Sequence, residues 1–578
     1  MNKLLIHIAL MLLLLLLTAC GNTDKQTGTQ ALGQAPVNQD KKNLDVMPVT
    51  PEVNYPVVVN LTNFPRVDYA NRPEIPVTEG ASRQGTFVSP EQADQLRADA
   101  LLLPPNNNIQ VFQSPDISSN RGAGTMPMLL NTFDGPQFYN STPPDHEFTV
   151  GENYVIGVTN GTFEIFDKNG VSQGGAIDYD DFFATVPECS NGTFDPNAYY
   201  DEEQQRYIVG TAGNGVYCFA VSTSENLSGG GTFNLYGFTT IQVVTDFFDY
   251  PHMGVGNEAL FMGANMFLAG GGFRADVWAI DKFAAYAGSP LPTPVRRTLN
   301  SGADTPQPMN INGYAQGTLP VGNTHYILSD GVFNGTTLSL YSWEDPFGAN
   351  IFTNTGDVDL NAATGVTGAF PIDQPQAGSG GDIQGNDFRV QDAEYRNGSI
   401  WMAHTIACNP GSGTVNCVRW AEIDINDGNG PIIEQAGVIA IDGEYLSFPD
   451  VAVNACEDMT IGFSRTSPSI YPGVAFTGRL GSDPLGQVNP VQIQKLGEVT
   501  YRSFEGSPPR RWGDYSEAAS DPDGVRTWFM GNYAADNIPG STNWVTNIGE
   551  FTTNCVILDL IFQNGFEGDL IFKDGFDN

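Results

Sequence analysis

This sequence predicts an all-β chain, a seven-bladed β-propeller preceded by a flexible N-terminal tether, on three observations. The first is a motif that recurs about once per fifty to sixty residues. It is an Asp in or just after a cluster of Phe, Pro, Trp or Gly, followed by a β-like run, a polar turn and a second β-like run. Its copies centre on Asp145, Asp195, Asp249, Asp392, Asp450 and Asp514. The second is the character of those runs: short, β-branched or aromatic, and separated by turn pairs such as Asn160-Gly161, Asn169-Gly170 and Asn397-Gly398. The third is the lack of any long helical periodicity. Sheets this small cannot bury both faces alone and must stack on neighbours in a ring. An array of β-sandwiches is the other all-β solution, but it does not require one Asp motif per unit.

Residues 1–19 read as a secretory signal: Lys3, an apolar run from Leu4 to Leu17 broken only by His7, then Thr18 and Ala19. Leu17-Thr18-Ala19-Cys20 resembles the lipobox of bacterial lipoproteins. That resemblance implies lipid on Cys20, attachment to a membrane through it and, with Gly21 following, sorting to the outer membrane of a Gram-negative cell. An ordinary signal peptide with a chance Cys is the alternative. Residues 20–56 are polar and Pro-rich, with too little apolar surface to offset their ordering entropy, and read as a flexible linker. Residues 57–132 read as irregular, with one helix. Ser89 offers an N-cap, Pro90 the first helical position and Gln92 a capping box before Ala93 to Leu103, and Pro104-Pro105 stops it.

Residues 133–558 divide into blades at about 133–186, 187–242, 243–292, 293–350, 351–430, 431–488 and 489–558. The fourth unit shows no Asp at the matching place. Closure of the ring is expected from a final strand near Asn547 to Thr552 joining the first blade, which would leave no open edge. Residues 559–578 are a tandem tail in which Asp559 to Glu567 returns as Asp569 to Asp577, similar to short tails on other exported proteins.

Lys plus Arg number 26 against 65 Asp plus Glu, a net charge of −39. Such a field repels phosphate backbones, which argues against nucleic acid as a partner and leaves cations and basic surfaces. Solubility in a salty or cation-rich medium accounts for the charge without any partner. With Cys20 set aside, six Cys remain in an exported chain, an even count that favours disulfides. Cys408 with Cys417 brackets a Gly-Pro-rich hairpin loop. Cys189 with Cys218 would tie one early blade, and Cys456 with Cys555 would link the last two.

A motif Asp that opens the innermost strand of each blade would place all six around one rim of the central channel. Carboxylates that close cannot all stay charged unaided. Two readings stand: the ring draws a hard cation, calcium foremost, or each Asp accepts backbone N–H bonds and staples one blade to the next. Arg510, Arg511, Trp512 and Tyr515, with Tyr250 and His252, form the candidate ligand cluster. Guanidinium groups there would clamp an anion while the aromatics stack on a sugar ring. Alternatively an Arg pairs with Asp514, the aromatics fill the space between blades, and His252 is a hydrogen-bonded structural residue.

The segments VGENYVIGVTNGTFEIFDKNG, DYPHMGV, FPDVAVN and RRWGDYSEAASDP resemble an exported bacterial lipoprotein family carrying a sialidase-like (BNR-like) β-propeller, over roughly Phe133 to Phe551. The resemblance implies fold and export. A sialidase would add an arginine cluster, for which Arg274, Arg389, Arg465, Arg479, Arg510 and Arg511 are candidates. FRAD at Phe273 and FRVQ at Phe388 depart from the FRIP pattern, and SDPDGVRTW at Ser520 departs from the Asp-box spacing. The expected function is a surface binding module for a glycan, a cation or a protein. The alternative is an extracellular carbohydrate-active hydrolase or lyase. A deep pocket where carboxylates converge with Arg or His would favour the enzyme, and a shallow aromatic rim the binder.

Overall fold

The computed structural model describes residues 54–557 apart from 74, 77–88, 116–125, 190–191, 317–318, 321, 332–334, 386, 426–427 and 429. Cys20, the signal segment, nearly all of the 20–56 linker and the 559–578 tail lie outside the described residues. Among the described residues no helix is long and apolar enough to cross a membrane.

The chain is mostly β, and its strands form seven sheets. Their first strands are Glu147–Val150, Thr193–Asp201, Phe247–Val255, Ala303–Pro308, Glu394–Arg396, Tyr445–Val453 and Glu517–Ser520. Successive first strands pack on one another, and the seventh packs on the first. Between the fourth and fifth sheets the link is Asn310–Ile311, which pairs parallel to Glu394–Arg396.

A cluster of buried apolar side chains fills each junction between neighbouring sheets. Phe163, Tyr207 and Phe233 join the first and second sheets, and Phe219, Met262 and Trp278 the second and third. Phe261 and Trp343, then Leu340 and Tyr395, continue the series to the fifth. Trp420 with Ile461, Phe476 with Phe529, and Phe148 with Trp528 complete it. Each such side chain contributes roughly 1.5–3 kcal/mol on burial, so the core lies between sheets rather than at one centre. At the third junction the backbones come close enough to exclude a side chain: a Cβ on Gly263 would lie 2.1 Å from the Pro306 carbonyl oxygen.

The ring closes differently from the sequence expectation. Trp544–Thr552 stays in the seventh sheet, where it forms a hairpin with Arg526–Ala534. Met128–Gln137 then pairs antiparallel with it as the outermost strand. Only three strands of this sheet follow residue 517, so the fourth comes from the N-terminal side of the chain. The fourth sheet also begins later than the boundary at 293, with Ala303–Pro308, and it does contain an Asp at its start, Asp304.

The segment before residue 128 is less irregular than expected. Val57–Asn60 adds a fifth strand to the second sheet, and Gln110–Phe112 adds an outer parallel strand to the fifth, covering two sheet edges. The helix Pro90–Ala100 forms with its full capping box, and it packs Ala93 and Ala100 beside the fifth sheet.

All three expected disulfides form: Cys189–Cys218, Cys408–Cys417 and Cys456–Cys555. The last spans 99 residues and ties the first hairpin of the sixth sheet to the chain leaving the seventh. Replacing both of its cysteines with serine is expected to lower the unfolding free energy by about 4 kcal/mol. A denaturant midpoint equal to that of the native chain would contradict this.

Candidate active site

In or just before the first strands of five sheets stands a kink at a residue of left-handed backbone: Asp195 (φ 50°), Tyr250 (φ 57°), Thr305 (φ 44°) and Phe448 (φ 51°) within the strand, and Asp145 (φ 42°) two residues ahead of it. In four of them the strand register slips at the kink and a Pro follows it: Pro196, Pro251, Pro306 and Pro449. A bulged position is where a residue without an N–H fits, because the ladder is already interrupted there. Left-handed backbone at a non-glycine residue is costly and marks a place the surrounding structure over-determines.

The kinks of the first three sheets and the approach to the seventh open on one pocket of about 450 Å³. Asp145, Asp195, Asp249 and Asp514 line it together with Arg389 and Arg511. A chain of hydrogen bonds fixes the wall. Asn160 donates through Nδ2 to Asp145 Oδ2 at 2.6 Å and accepts through Oδ1 from the Asp195 amide at 2.9 Å. The Tyr515 hydroxyl donates to Asp195 Oδ2 at 2.9 Å, and the Asp514 amide to Asp145 Oδ1 at 2.8 Å. The Tyr250 hydroxyl donates to the Asp514 carbonyl at 2.5 Å. Arg511 pairs with Asp514.

Arg389 reaches the pocket from the long connection between the fourth and fifth sheets. Its guanidinium carbon lies 3.7 Å from the Tyr250 ring centroid, and its Nε donates to Asp387 Oδ1 at 2.8 Å. Burial works against its charge, but Asp387, Tyr250 and Asp514 together outweigh burial and hold the guanidinium charged. Arg511 is in the same position, with burial opposed chiefly by Asp514 and then Asp145.

The carboxylates are driven apart in acidity by their surroundings. Burial, then Asp249 and Asp514, push Asp195 up to about 8. Burial pushes Asp249 up to about 6, held back by Arg389. Burial and the neighbouring Asp514 raise Asp145. His252 lies just below, fully buried between the Tyr250 and Tyr515 rings at centroid distances of 4.7 and 5.1 Å. Burial and Arg389 hold its imidazole well below its usual range, so it is neutral. Neither ring nitrogen has a hydrogen-bond partner among the described residues, so it is a ring packed between two tyrosines rather than the hydrogen-bonded structural residue expected from the sequence.

The six motif aspartates do not share one rim. Asp145 and Asp195 sit at the kink, Asp249 one residue before it, and Asp450 two residues after it. That offset, which adds to the strand's alternation, sends Asp450 away from the pocket, and Asp392 is likewise absent from its wall. Both are fully buried.

The candidate ligand cluster also splits. Arg511 and Tyr250 line the pocket. Trp512 is fully buried, with Nε1 donating to Ser464 Oγ at 3.0 Å, so it cannot stack on a sugar. Arg510 turns to the Gly506 carbonyl, and Tyr515 supports Asp195 from within. Of the other arginine candidates, Arg274 pairs with Asp276, Arg465 with Glu444, and Arg479 donates to the Asp483 carbonyl. In the sequence Asn160 reads only as a turn residue, and nothing in the pattern around Gln384 signals its place on the wall.

No protein-family model matches the chain, and no curated protein matches it. Solved structures similar to it include polysaccharide lyase Uly1, at 8% identity, TM-score 0.35, over 86% of this chain and 100% of that one. A subtype N10 neuraminidase-like protein of a little yellow-shouldered bat strain from Guatemala matches at 8% identity, TM-score 0.33, over 61% of this chain and 99% of that one. The WD40 domain of SCAP from fission yeast matches at 10% identity, TM-score 0.31, over 74% and 92%. Likenesses this distant carry no inference about what this chain does.

Proposed function

We propose that the seven sheets are the blades of a β-propeller and that the pocket is the active site of an extracellular carbohydrate-active hydrolase or lyase. The observation that carries this reading is the convergence of four carboxylates with the buried Arg389 and the part-buried Arg511 in one cavity of about 450 Å³. Paired carboxyl groups whose surroundings push their acidities apart are what glycosidic cleavage requires. Asp195, at about 8, holds its proton at neutral pH, whereas Asp249, at about 6, is ionised. For hydrolysis, the Asp195 O–H proton passes to the departing glycosidic oxygen as the C–O bond breaks toward that oxygen. A water oxygen forms the new bond to carbon while its proton goes to Asp249. Arg389 and Arg511 supply positive field for an anionic substituent or for negative charge that develops during the reaction.

The cellular setting belongs to the same proposal: export, and a lipid anchor on Cys20 at the outer membrane. The Leu17-Thr18-Ala19-Cys20 motif supports it. A second reading, a glycan-binding module using the same pocket, is favoured by the stacked Phe194 and Phe247 rings at its mouth. Their centroids lie 6.1 Å apart, and Phe247 is 43% exposed.

Incubation with a panel of neutral and acidic polysaccharides, read by new reducing ends and unsaturated products, separates the two. Turnover by the native chain, reduced about 10²–10⁴-fold in Asp195→Asn, is expected. Saturable binding without product would favour the module, and no engagement of any glycan would contradict both.

A further inference from the structure

Deeper along the axis than the pocket lies a second set of acidic side chains with a different chemistry. Two residues past each kink stand Glu147, Asn197, His252, Gln307 and Asp450, all buried. Asp392 of the fifth sheet and Glu517 of the seventh reach the same place as Asp450 of the sixth. One carboxylate oxygen of each of these three lies within 4.8 Å of the others. Their exposures are 1%, 3% and 0% in the order Asp392, Glu517, Asp450, so water does not screen them. None of the ion pairs found among the described residues involves them.

The hydrogen bonding is incomplete in a particular way. Asp392 accepts from Asn310 Nδ2 at 3.2 and 3.1 Å, and Asp450 Oδ2 accepts from the Ala518 amide at 2.6 Å. Asp450 Oδ1 and Glu517 Oε2, however, are buried atoms with no hydrogen-bond partner. A buried carboxylate oxygen left without a donor carries its full desolvation cost.

We propose that Asp392, Asp450 and Glu517 form a buried divalent-cation site that takes calcium. The donors are all carboxylate oxygens, which select a hard cation over zinc or copper. The three oxygens lie no more than 4.8 Å apart, close enough for all of them to reach one ion at about 2.4 Å, and a site this dry suits calcium better than magnesium, which sheds its waters reluctantly. A void of about 20 Å³ lined by Glu517, Tyr199 and Asn310 adjoins the cluster and leaves room for a water ligand. The ion would pin the fifth, sixth and seventh sheets at their inner edges, beside the point where the ring closes. No residue of this set lines the pocket above, so the inference does not depend on the pocket's proposed chemistry.

The test uses the full chain, stripped with chelator and then supplied with calcium alone. One calcium per chain by elemental analysis and a rise of about 2–3 °C in Tm at a calcium concentration about a hundredfold above Kd are expected. Terbium should replace calcium with luminescence sensitised by Tyr199, whose hydroxyl lies in the field of Glu517, Glu147 and Asp392. Glu517→Gln should lose the ion, and Asp249→Asn, in the pocket, should keep it. A stripped chain that takes up no calcium and melts at an unchanged temperature would overturn the proposal, whether or not the variants fold. So would loss of the ion from Asp249→Asn rather than from Glu517→Gln.

Discussion

A chain that begins at Phe138 is expected to lose cooperative folding and to aggregate. Removing Met128–Gln137 strips the outermost strand from the seventh sheet and exposes the paired edge of Trp544–Thr552. That edge is long, β-prone and nearly free of charge, the kind that recruits other chains. The loss reaches further than one ladder. Asp134 accepts from the Tyr533 hydroxyl at 3.1 Å and from Asn547 Nδ2 at 3.1 Å, and Phe133 packs on Phe166 of the first sheet at 5.5 Å. The strand therefore joins the last sheet to the first. Far-UV circular dichroism and size-exclusion chromatography check this. Because this truncation also removes the edge strands Val57–Asn60 and Gln110–Phe112, a fragment covering residues 54–138 added in trans should restore the monomer, and a truncated monomer with native Tm would contradict the closure described above.

The next largest effect is expected from Arg511→Ala. Arg511 pairs with Asp514, and its charge also lowers Asp145, Asp195 and Asp249. Without it, the carboxyl groups of Asp145, Asp195 and Asp514 face one another with Arg389 as the remaining cation, and because the Arg511–Asp514 pair is only part-buried the cost is expected at about 2–3 kcal/mol, below that of a fully buried pair. The pH dependence follows from the direction of the shifts. Asp195 and Asp249 have folded-state acidities raised above their unfolded ones, so the folded chain holds more protons than the unfolded chain between about 4 and 8. Their contribution to stability is therefore present at low pH and declines as pH rises through the folded values. Arg511→Ala raises those values further. Its cost is then expected to be largest at about pH 8 and to shrink toward about pH 5. Thermal melts of both chains across that range check it, and a penalty that grows on acidification would contradict the charge balance described.

The sequence revealed the fold class better than the site. Short β-prone runs with Asn-Gly turns, repeated at a blade-like interval, produce the sheets seen, because periodicity and turn chemistry act locally. The helix at Pro90–Ala100 was legible for the same reason, its capping box being a local hydrogen-bond pattern. The three disulfides followed from Cys spacing and the export signal. What misled was alignment on Asp. The structural constant is the kink, and its sequence mark is the Pro that follows: Asp195-Pro196, Tyr250-Pro251, Thr305-Pro306 and Phe448-Pro449. Alignment on that Pro places Asp304 in the fourth unit, beside Asp249 of the third, and moves Asp450 into register with Asn197, His252 and Gln307. The pocket and the deeper carboxylate set are then separate features. Arg389, by contrast, arrives on a connection whose path is set by tertiary packing, and no local pattern marks it out from the other arginines.

The most direct measurement is the protonation state of Asp195, read by infrared difference spectroscopy of its carboxyl group against Asp195→Asn. The native chain is expected to show a carboxylic acid band at neutral pH that disappears with a midpoint of about 8 and is missing from the variant. An ionised Asp195 throughout the range from about pH 5 upward, with native and variant spectra alike, would contradict the assignment of this pocket to acid-assisted glycan cleavage.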